Sequence, residues 1–137
     1  MTTMTLDQQQ SIYVLTLTNG DQDNALNQDV LNEYIEIFDE IERDSHNACL
    51  VIQSDHPKTF CNGLDLAWLM QQSMQDKKAF TLQLENMLLR LALLNLPVIA
   101  EINGNAYAGG AILASACDFR LMRADKGRFC FPEVKLT

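Results

Sequence analysis

The chain has 137 residues, enough for one modest domain with a buried core, and its 47% hydrophobic and 20% charged residues are typical of a globular protein. The formal net charge of -8 argues against nucleic acid as a partner, because a phosphate-binding surface needs clustered Lys and Arg. Neither a membrane span nor a signal peptide is recognised, so we expect a cytoplasmic protein with no membrane partner.

The N-terminal half is predicted to contain two strands and a helix. Residues 12–18 are rich in β-forming side chains and predict a strand, which Asn19-Gly20-Asp21 ends. A helix is expected to begin near Asn27, with Asp29 in its first turn. The apolar run at residues 49–53 predicts a buried strand. The inward face of the helix is predicted to contain Val30, Leu31, Tyr34, Ile35, Phe38 and Ile41.

The C-terminal half is predicted to continue the alternation. A turn within residues 59–66 should lead to a short helix with Asp65 in its first turn, and a longer helix is predicted at about residues 76–95. Its inward face should contain Phe80, Leu84, Met87, Leu88, Leu91 and Leu94. Further predictions are a strand at 98–102 after Pro97, a tight turn at Asn103-Gly104, a helix starting at Gly109-Gly110, and strands at 118–123 and 129–131. This alternation favours an α/β fold, with residues 1–137 in one domain.

The cysteines and histidines give no sign of a metal site. The four cysteines form no C-x-x-C pair, and Cys49, Cys117 and Cys130 are predicted to be small core residues. His46 and His56 have no ligand cluster around them, so both are expected to be ordinary surface residues. We therefore expect no metal and no cofactor.

The glycines at residues 104–110 could serve either binding or packing. Their spacing resembles a P-loop, but Gly110 and Ala111 stand where that motif needs Lys and Ser or Thr, so a nucleoside triphosphate site is excluded. Backbone N–H groups near the glycine pair could hold an anion or a developing oxyanion. Close packing of small residues explains the same pattern equally well.

Two further groups of residues leave alternatives open. Glu133 stands among Phe131, Pro132 and Val134, where apolar surroundings would favour a general base, although its local pattern fits an exposed carboxylate near a strand end better. The tightest basic group is Arg120, Arg123, Lys126 and Arg128. It could be a solvated strand end or could contact a phosphorylated ligand.

The chain resembles the crotonase, or enoyl-CoA hydratase/isomerase, superfamily over nearly its whole length. Four segments carry the resemblance: Asn24-Ala25-Leu26, Phe60 to Leu66, Ile102 to Ala111, and Cys117 to Arg120 followed by Phe129 to Val134. The resemblance implies a spiral of β-β-α units, assembled as a homotrimer or a dimer of trimers, that acts on an acyl-CoA. It also implies that the family's C-terminal helical part is missing from this chain.

Site residues carry over from the resemblance position by position. The backbone N–H groups of Leu64 and Gly109 would hold the thioester oxygen, and Glu133 would be the acid/base. Coenzyme A and substrate contacts are expected at Asn62, Gly63, Asp65, Leu66, Ala67 and Gly110.

Departures from the family pattern bear on the reaction. Hydratases of the family use a second glutamate on the helix after the glycines, and Ile112 stands at that position here. A single glutamate suits a Δ3,Δ2-enoyl-CoA isomerase, which we expect, with a hydratase using another water-activating group as one alternative. A non-catalytic acyl-CoA-binding or assembly module is the other. The usual Arg-Pro is replaced by Asn19-Gly20-Asp21, which removes any contact from that arginine.

Overall fold

The computed structural model describes residues 2–44 and 48–135. Its strands are β1 (Met4–Gln9), β2 (Ile12–Leu17), β3 (Cys49–Ser54), β4 (Thr59–Cys61), β5 (Val98–Ile102), β6 (Asn105–Tyr107), β7 (Phe119–Met122) and β8 (Phe129–Cys130). Its α-helices are α1 (Gln28–Arg43), α2 (Leu66–Met70), α3 (Met74–Ala92) and α4 (Gly109–Ser115). Short 3₁₀ helices occupy Gly20–Gln22 and Pro132–Lys135.

The strands form two sheets. The larger has the order β1-β2-β3-β5-β7 and the smaller the order β4-β6-β8. The β1–β2 pair is antiparallel, and every other pairing between these strands is parallel. Helices α1, α3 and α4 make the crossovers that parallel pairing requires. The predicted α/β fold is therefore confirmed.

The core is built where the apolar periodicities predicted it. On β2 the buried residues alternate, and on α1 the predicted inward face is buried except for Ile35, which is only partly covered. On α3 the side chains of Leu84 and Leu88 are likewise half-buried. The fully enclosed core includes Leu15, Leu31, Phe38, Ile41, Leu50, Ile52, Phe60 and Met87.

Helix caps and an ion pair fix where α1 and α3 lie. Asn27 caps α1 as expected, since its side chain accepts a hydrogen bond from the Val30 N–H. Ser73 caps α3 in the same way, so this helix begins two residues earlier than predicted, and it ends at Ala92 rather than residue 95. Arg90 of α3 donates to Asp39 of α1 at 2.7 Å, which ties the two helices together.

Three strands were not predicted from the sequence: β1, β6 and β4, whose residues 59–61 were expected to belong to a turn. β1 has a polar sequence, and it forms because its backbone pairs along the whole of β2. β6 follows the turn at Gly104 directly and pairs with β4 and β8, so the chain passes through a strand before α4 begins. In addition, the predicted strand at 118–123 is shorter, Phe119–Met122, and all four of its residues are exposed.

The cysteine prediction is partly wrong. Cys61 and Cys117 are buried, whereas Cys49 and Cys130 are only half-buried because each sits on a strand face that the described residues leave partly uncovered. All four are free thiols. The described helices include none long and apolar enough to cross a membrane.

Candidate active site

Two turns that are far apart in sequence touch at the ends of β4 and β6. Gly63 has a φ of 101°, and a Cβ on it would lie 3.0 Å from the Gly109 nitrogen and 3.1 Å from the Tyr107 carbonyl oxygen. A Cβ on Gly110 would overlap the carbonyl group of Cys61. Only glycine allows this approach at Gly63 and Gly110, so these glycines serve close contact between the start of α4 and the chain at the end of β4.

The direction of the Leu64 N–H is fixed by the hydrogen bond that the Gly63 carbonyl accepts. In a planar trans peptide the C=O of one residue and the N–H of the next point in opposite directions. The Gly63 carbonyl accepts from the Leu26 N–H at 2.9 Å, so the Leu64 N–H points away from Leu26. Within the described residues it meets no acceptor, and it is free for a ligand.

The same argument fixes the direction of the Gly109 N–H. The Ala108 carbonyl accepts from the Ile112 N–H at 3.0 Å, in the first turn of α4, so the Gly109 N–H points out of the start of the helix. It also has no acceptor among residues 2–44 and 48–135. Two unused N–H donors thus come from two turns that are in contact.

The peptide at Ala108 is held in a strained conformation. Ala108 has φ 51° and ψ -119°, a region that favours glycine, and such strain costs of order 1–3 kcal/mol. Strained residues of this kind cluster at functional sites because the surroundings must enforce them.

Relief of this strain is measurable. We expect Ala108→Gly to raise the free energy of unfolding by about 1 kcal/mol, because the strain removed exceeds the chain entropy that glycine adds. Urea unfolding checks this, with Ala111→Gly inside α4 as the matched control, expected to lose about 1 kcal/mol. An equal loss in both variants would contradict the strain at Ala108.

A cavity of about 380 Å³ opens beside the two donors. Its lining comprises Asn62, Leu64, Leu66, Leu84, Tyr107, Ala108, Gly109, Ile112, Pro132 and Glu133. Glu133, in the 3₁₀ helix Pro132–Lys135, is the only carboxylate among these lining residues. The apolar wall from Leu66, Leu84 and Ile112 would suit a hydrocarbon chain.

Glu133 is exposed and is not enclosed by apolar side chains, which decides between the two interpretations of its sequence context. Its side chain is exposed, and its neighbours Phe131 and Val134 are 42% and 75% exposed. The interpretation that local pattern favoured, an exposed carboxylate near a strand end, is therefore confirmed, and the alternative of an enclosure by apolar neighbours is wrong. Glu133 nevertheless contributes to the cavity lining, as the resemblance implied.

A second cavity of about 430 Å³ adjoins the first and shares Asn62, Leu64 and Leu66 with it. It also contains Gly63, Asp65 and Ala67, so it holds the rest of the segment expected to contact coenzyme A. Gly110 lies outside both linings, since it is buried against Cys61. Its predicted contact with ligand therefore becomes a packing role in the described structure.

Polar groups in the second cavity are mostly fixed by local hydrogen bonds. Asp65 caps α2 by accepting from the Trp68 N–H at 3.0 Å, and the Asn27 amide donates to it at 3.4 Å. Asn62 donates from Nδ2 to Asp23 at 3.0 Å, whereas its buried Oδ1 has no partner in the described part of the chain. The lining includes Asp23 and Asp65 and no Lys or Arg, so it suits neutral donors better than phosphates.

Two of the four residues in the basic group, Arg120 and Arg123, form hydrogen bonds within the protein. Arg120 donates to carbonyl oxygens at the end of α4, the shortest being that of Cys117 at 2.8 Å. Arg123 pairs with Asp125 at 2.7 Å, and this hydrogen bond lowers the pKa of Asp125 to about 2. Contact with a phosphorylated ligand through these two arginines would require breaking these hydrogen bonds.

The cysteine and histidine side chains are the other candidate reactive groups, and Cys61 and His56 are packed into the fold. Burial raises the pKa of the Cys61 thiol to about 12, so this cysteine is unsuited to act as a nucleophile. The surface assignment of His56 is only partly right, since its side chain is 23% exposed and packs on Gly20, with Nε2 3.4 Å from Asp21. His46 lies outside the described residues.

Asn24 received no site role from the sequence, although it opens one of the segments that carry the resemblance, and it lies buried beside the turn at Gly63 and Leu64. Asn24 is 5% exposed and has a left-handed φ of 48°. Its amide accepts from the Asn19 N–H and donates to Ser54 and Phe60. The available signal was an asparagine, which tolerates left-handed backbone, directly before the apolar pair Ala25-Leu26.

Comparison with known proteins places these features in a family context. A family model described as "Enoyl-CoA hydratase/isomerase" matches residues 7–137. A short-chain-enoyl-CoA hydratase from Clostridium acetobutylicum is 33% identical over 131 residues, covering 96% of this chain and 50% of that protein. The peroxisomal enoyl-CoA delta isomerase 2 of Arabidopsis thaliana is 32% identical over 139 residues, covering 96% of this chain and 57% of that protein.

The fold is similar to those of solved structures that carry related names. A crystal structure of an enoyl-CoA hydratase from Bacillus anthracis superimposes with a TM-score of 0.84 at 26% identity, covering 88% of this chain and 47% of that one. The chain spans about half the length of the curated relatives it matches. Relatives at comparable identity thus include both hydratases and isomerases.

Proposed function

The chain belongs to the enoyl-CoA hydratase/isomerase family, whose crotonase fold it shares, and we propose that its protein moves the double bond of a 3-enoyl-CoA to the 2-position. The observation that carries this proposal is the cavity where, among the described residues, Glu133 is the only carboxylate in the lining, and where Ile112 stands at the position that the resemblance assigns to a second glutamate. An apolar side chain cannot activate a water, whereas one carboxylate is enough to shuttle a proton.

The two N–H donors would stabilise the enolate that forms when a proton leaves C2. The thioester oxygen would accept from the Leu64 and Gly109 N–H groups. Each N–H shares a planar peptide with a carbonyl, of Gly63 or Ala108, that is held by a hydrogen bond, so its direction is fixed. Such preorganised donors cost no reorganisation when charge develops on the oxygen. This is the largest share of the barrier reduction that we assign to the site.

Glu133 would carry the proton in both directions. As a carboxylate it removes a proton from C2, the electrons move into the enolate, and the protonated acid returns the proton to C4. The double bond then lies between C2 and C3, conjugated with the thioester. Atoms and charge balance without a cofactor, since the coenzyme A thioester is the substrate itself.

The substrate path would run from one cavity into the other. The acyl chain would lie against Leu66, Leu84 and Ile112 in the first cavity, and the arm of coenzyme A would pass Asn62 into the second. The few acidic groups there favour the neutral arm over the phosphates.

Assembly into trimers, or pairs of trimers, is a further part of the proposal. Several large apolar side chains on the C-terminal strands remain uncovered by the described residues, including Phe119 at 60% and Leu121 at 65% exposed. Exposed apolar surface of this kind favours further packing partners.

An absorbance assay on the intact protein tests the reaction. With a trans-3-enoyl-CoA we expect absorbance of a conjugated thioester to grow, and with a trans-2-enoyl-CoA we expect it to stay constant in water. Loss of absorbance with the 2-enoyl substrate would instead support the hydratase alternative and another water-activating group. Tight binding of both thioesters without turnover would support the non-catalytic alternative.

A further inference from the structure

Asn24 connects three separate parts of the chain through one buried side chain. Its Oδ1 accepts from the Asn19 N–H at 2.8 Å, and its Nδ2 donates to Ser54 Oγ at 3.0 Å and to the Phe60 carbonyl at 2.9 Å. These partners belong to the turn before α1, the end of β3 and β4. Because the residue is 5% exposed, water does not readily replace these bonds.

The backbone around Asn24 runs beside residues 61–65, which include Gly63 and Leu64, and is hydrogen-bonded to them. We call residues 23–26 the bracing segment. The Asn62 N–H donates to the Asp23 carbonyl at 3.0 Å, and the Cys61 thiol donates to the Asn24 carbonyl at 3.3 Å. Leu26 donates to the Gly63 carbonyl and accepts from the Asp65 N–H, both at 2.9 Å, so it is bonded on either side of Leu64.

These contacts decide where the Leu64 N–H points. Its direction is opposite to that of the Gly63 carbonyl, which in turn is fixed by Leu26. If the bracing segment shifts, the peptide between Gly63 and Leu64 can rotate. A hydrogen bond weakens steeply as its angle departs from linear, so even a modest rotation would reduce the donor's effect on a bound oxygen.

We propose that Asn24 is a positioning residue of the oxyanion hole, acting through the bracing segment on the Leu64 N–H; this inference rests on the proposed function. Asn24 contributes to neither cavity lining, so it acts without touching the substrate. Its removal should therefore weaken polarisation of the thioester carbonyl more than it weakens binding of the coenzyme A ester.

The variant Asn24→Gly tests this while keeping the left-handed backbone. Glycine adopts a φ of 48° without strain, so only the amide contacts are lost. The probe is hexanoyl-CoA labelled with ¹³C at the carbonyl, which cannot isomerise. Infrared difference spectroscopy on the intact protein reports the carbonyl stretch, and turnover of a trans-3-enoyl-CoA gives kcat and KM.

In the wild type we expect the bound carbonyl stretch to fall below that of the free thioester. In Asn24→Gly we expect the downshift to shrink by about half or more and kcat to fall by about tenfold, with KM within about threefold of the wild type. The matched control is Ile41→Ala, which removes a fully buried side chain near the far end of α1. It should lower thermal stability while leaving the downshift and kcat unchanged.

The outcomes separate this inference from the function beneath it. A full downshift and wild-type kcat in Asn24→Gly would overturn the role of Asn24, and so would an equal loss in Ile41→Ala. A wild type that binds hexanoyl-CoA without any downshift would overturn the proposed oxyanion hole and this inference together. Should Asn24→Gly not fold, Asn24→Asp removes the two Nδ2 donations but keeps the acceptor for Asn19, and the same criteria apply.

Discussion

Replacement of Glu133 by glutamine should lower kcat for a 3-enoyl-CoA by about 100- to 10,000-fold, the usual contribution of a general acid/base. Glutamine keeps the size of the side chain and can still line the cavity, but it cannot take a proton from C2. Because the Glu133 side chain is exposed and has no hydrogen-bond partner among the described residues, stability should change little. The dissociation constant of a saturated acyl-CoA should stay close to that of the wild type.

Proton exchange isolates the step that this variant removes. In deuterated water the wild type should wash out the C2 protons of a saturated acyl-CoA, followed by NMR, and Glu133→Gln should not. The control is Glu101→Gln, which neutralises an exposed carboxylate on β5 outside both cavities. Exchange at the wild-type rate in Glu133→Gln would show that another group is the base, and Tyr107 is the remaining titratable side chain in the lining.

The helices were predictable because apolar spacing and caps are local signals. The inward face of α1 and its cap at Asn27 follow from side chains within one or two turns. The start of α4 at the glycine pair was also predictable, since two adjacent glycines indicate close backbone contact, and Gly110 is the one where only a hydrogen atom fits. The resemblance added the roles of Leu64, Gly109 and Glu133, which remain predictions.

Features that depend on distant partners were not predictable from local pattern. β1 is polar and forms only because β2 offers its backbone, and β6 is a three-residue strand held between β4 and β8. The exposure of Glu133 was predictable from local pattern, but its place in the lining of a cavity with Leu84 and Ile112 depends on distant segments. The hydrogen bonds of the Asn24 side chain likewise reach three separate parts of the chain, at Asn19, Ser54 and Phe60, which no local pattern indicates.

The contact between α4 and β4 should make two adjacent glycines, Gly109 and Gly110, differ in how well they tolerate alanine. A Cβ on Gly110 would overlap the Cys61 carbonyl, a backbone group that cannot rotate away. We expect Gly110→Ala to lower the free energy of unfolding by more than about 3 kcal/mol, because the helix must move off the strand. Any folded fraction should have a displaced Gly109 N–H and a turnover lower by about 100-fold or more.

Gly109→Ala is the matched comparison, one residue earlier. A Cβ there would lie 3.3 Å from the Gly63 Cα and 3.5 Å from Leu26 Cδ1, so a shift of a few tenths of an ångström admits it. Urea unfolding should therefore show a cost below about 1 kcal/mol for Gly109→Ala. Equal stabilities for the two variants would mean that α4 does not rest on Cys61 as described, and the fixed direction of the Gly109 N–H would lose its physical basis. A large gap between them would support the close packing of α4 on Cys61, on which the fixed direction of the Gly109 N–H depends.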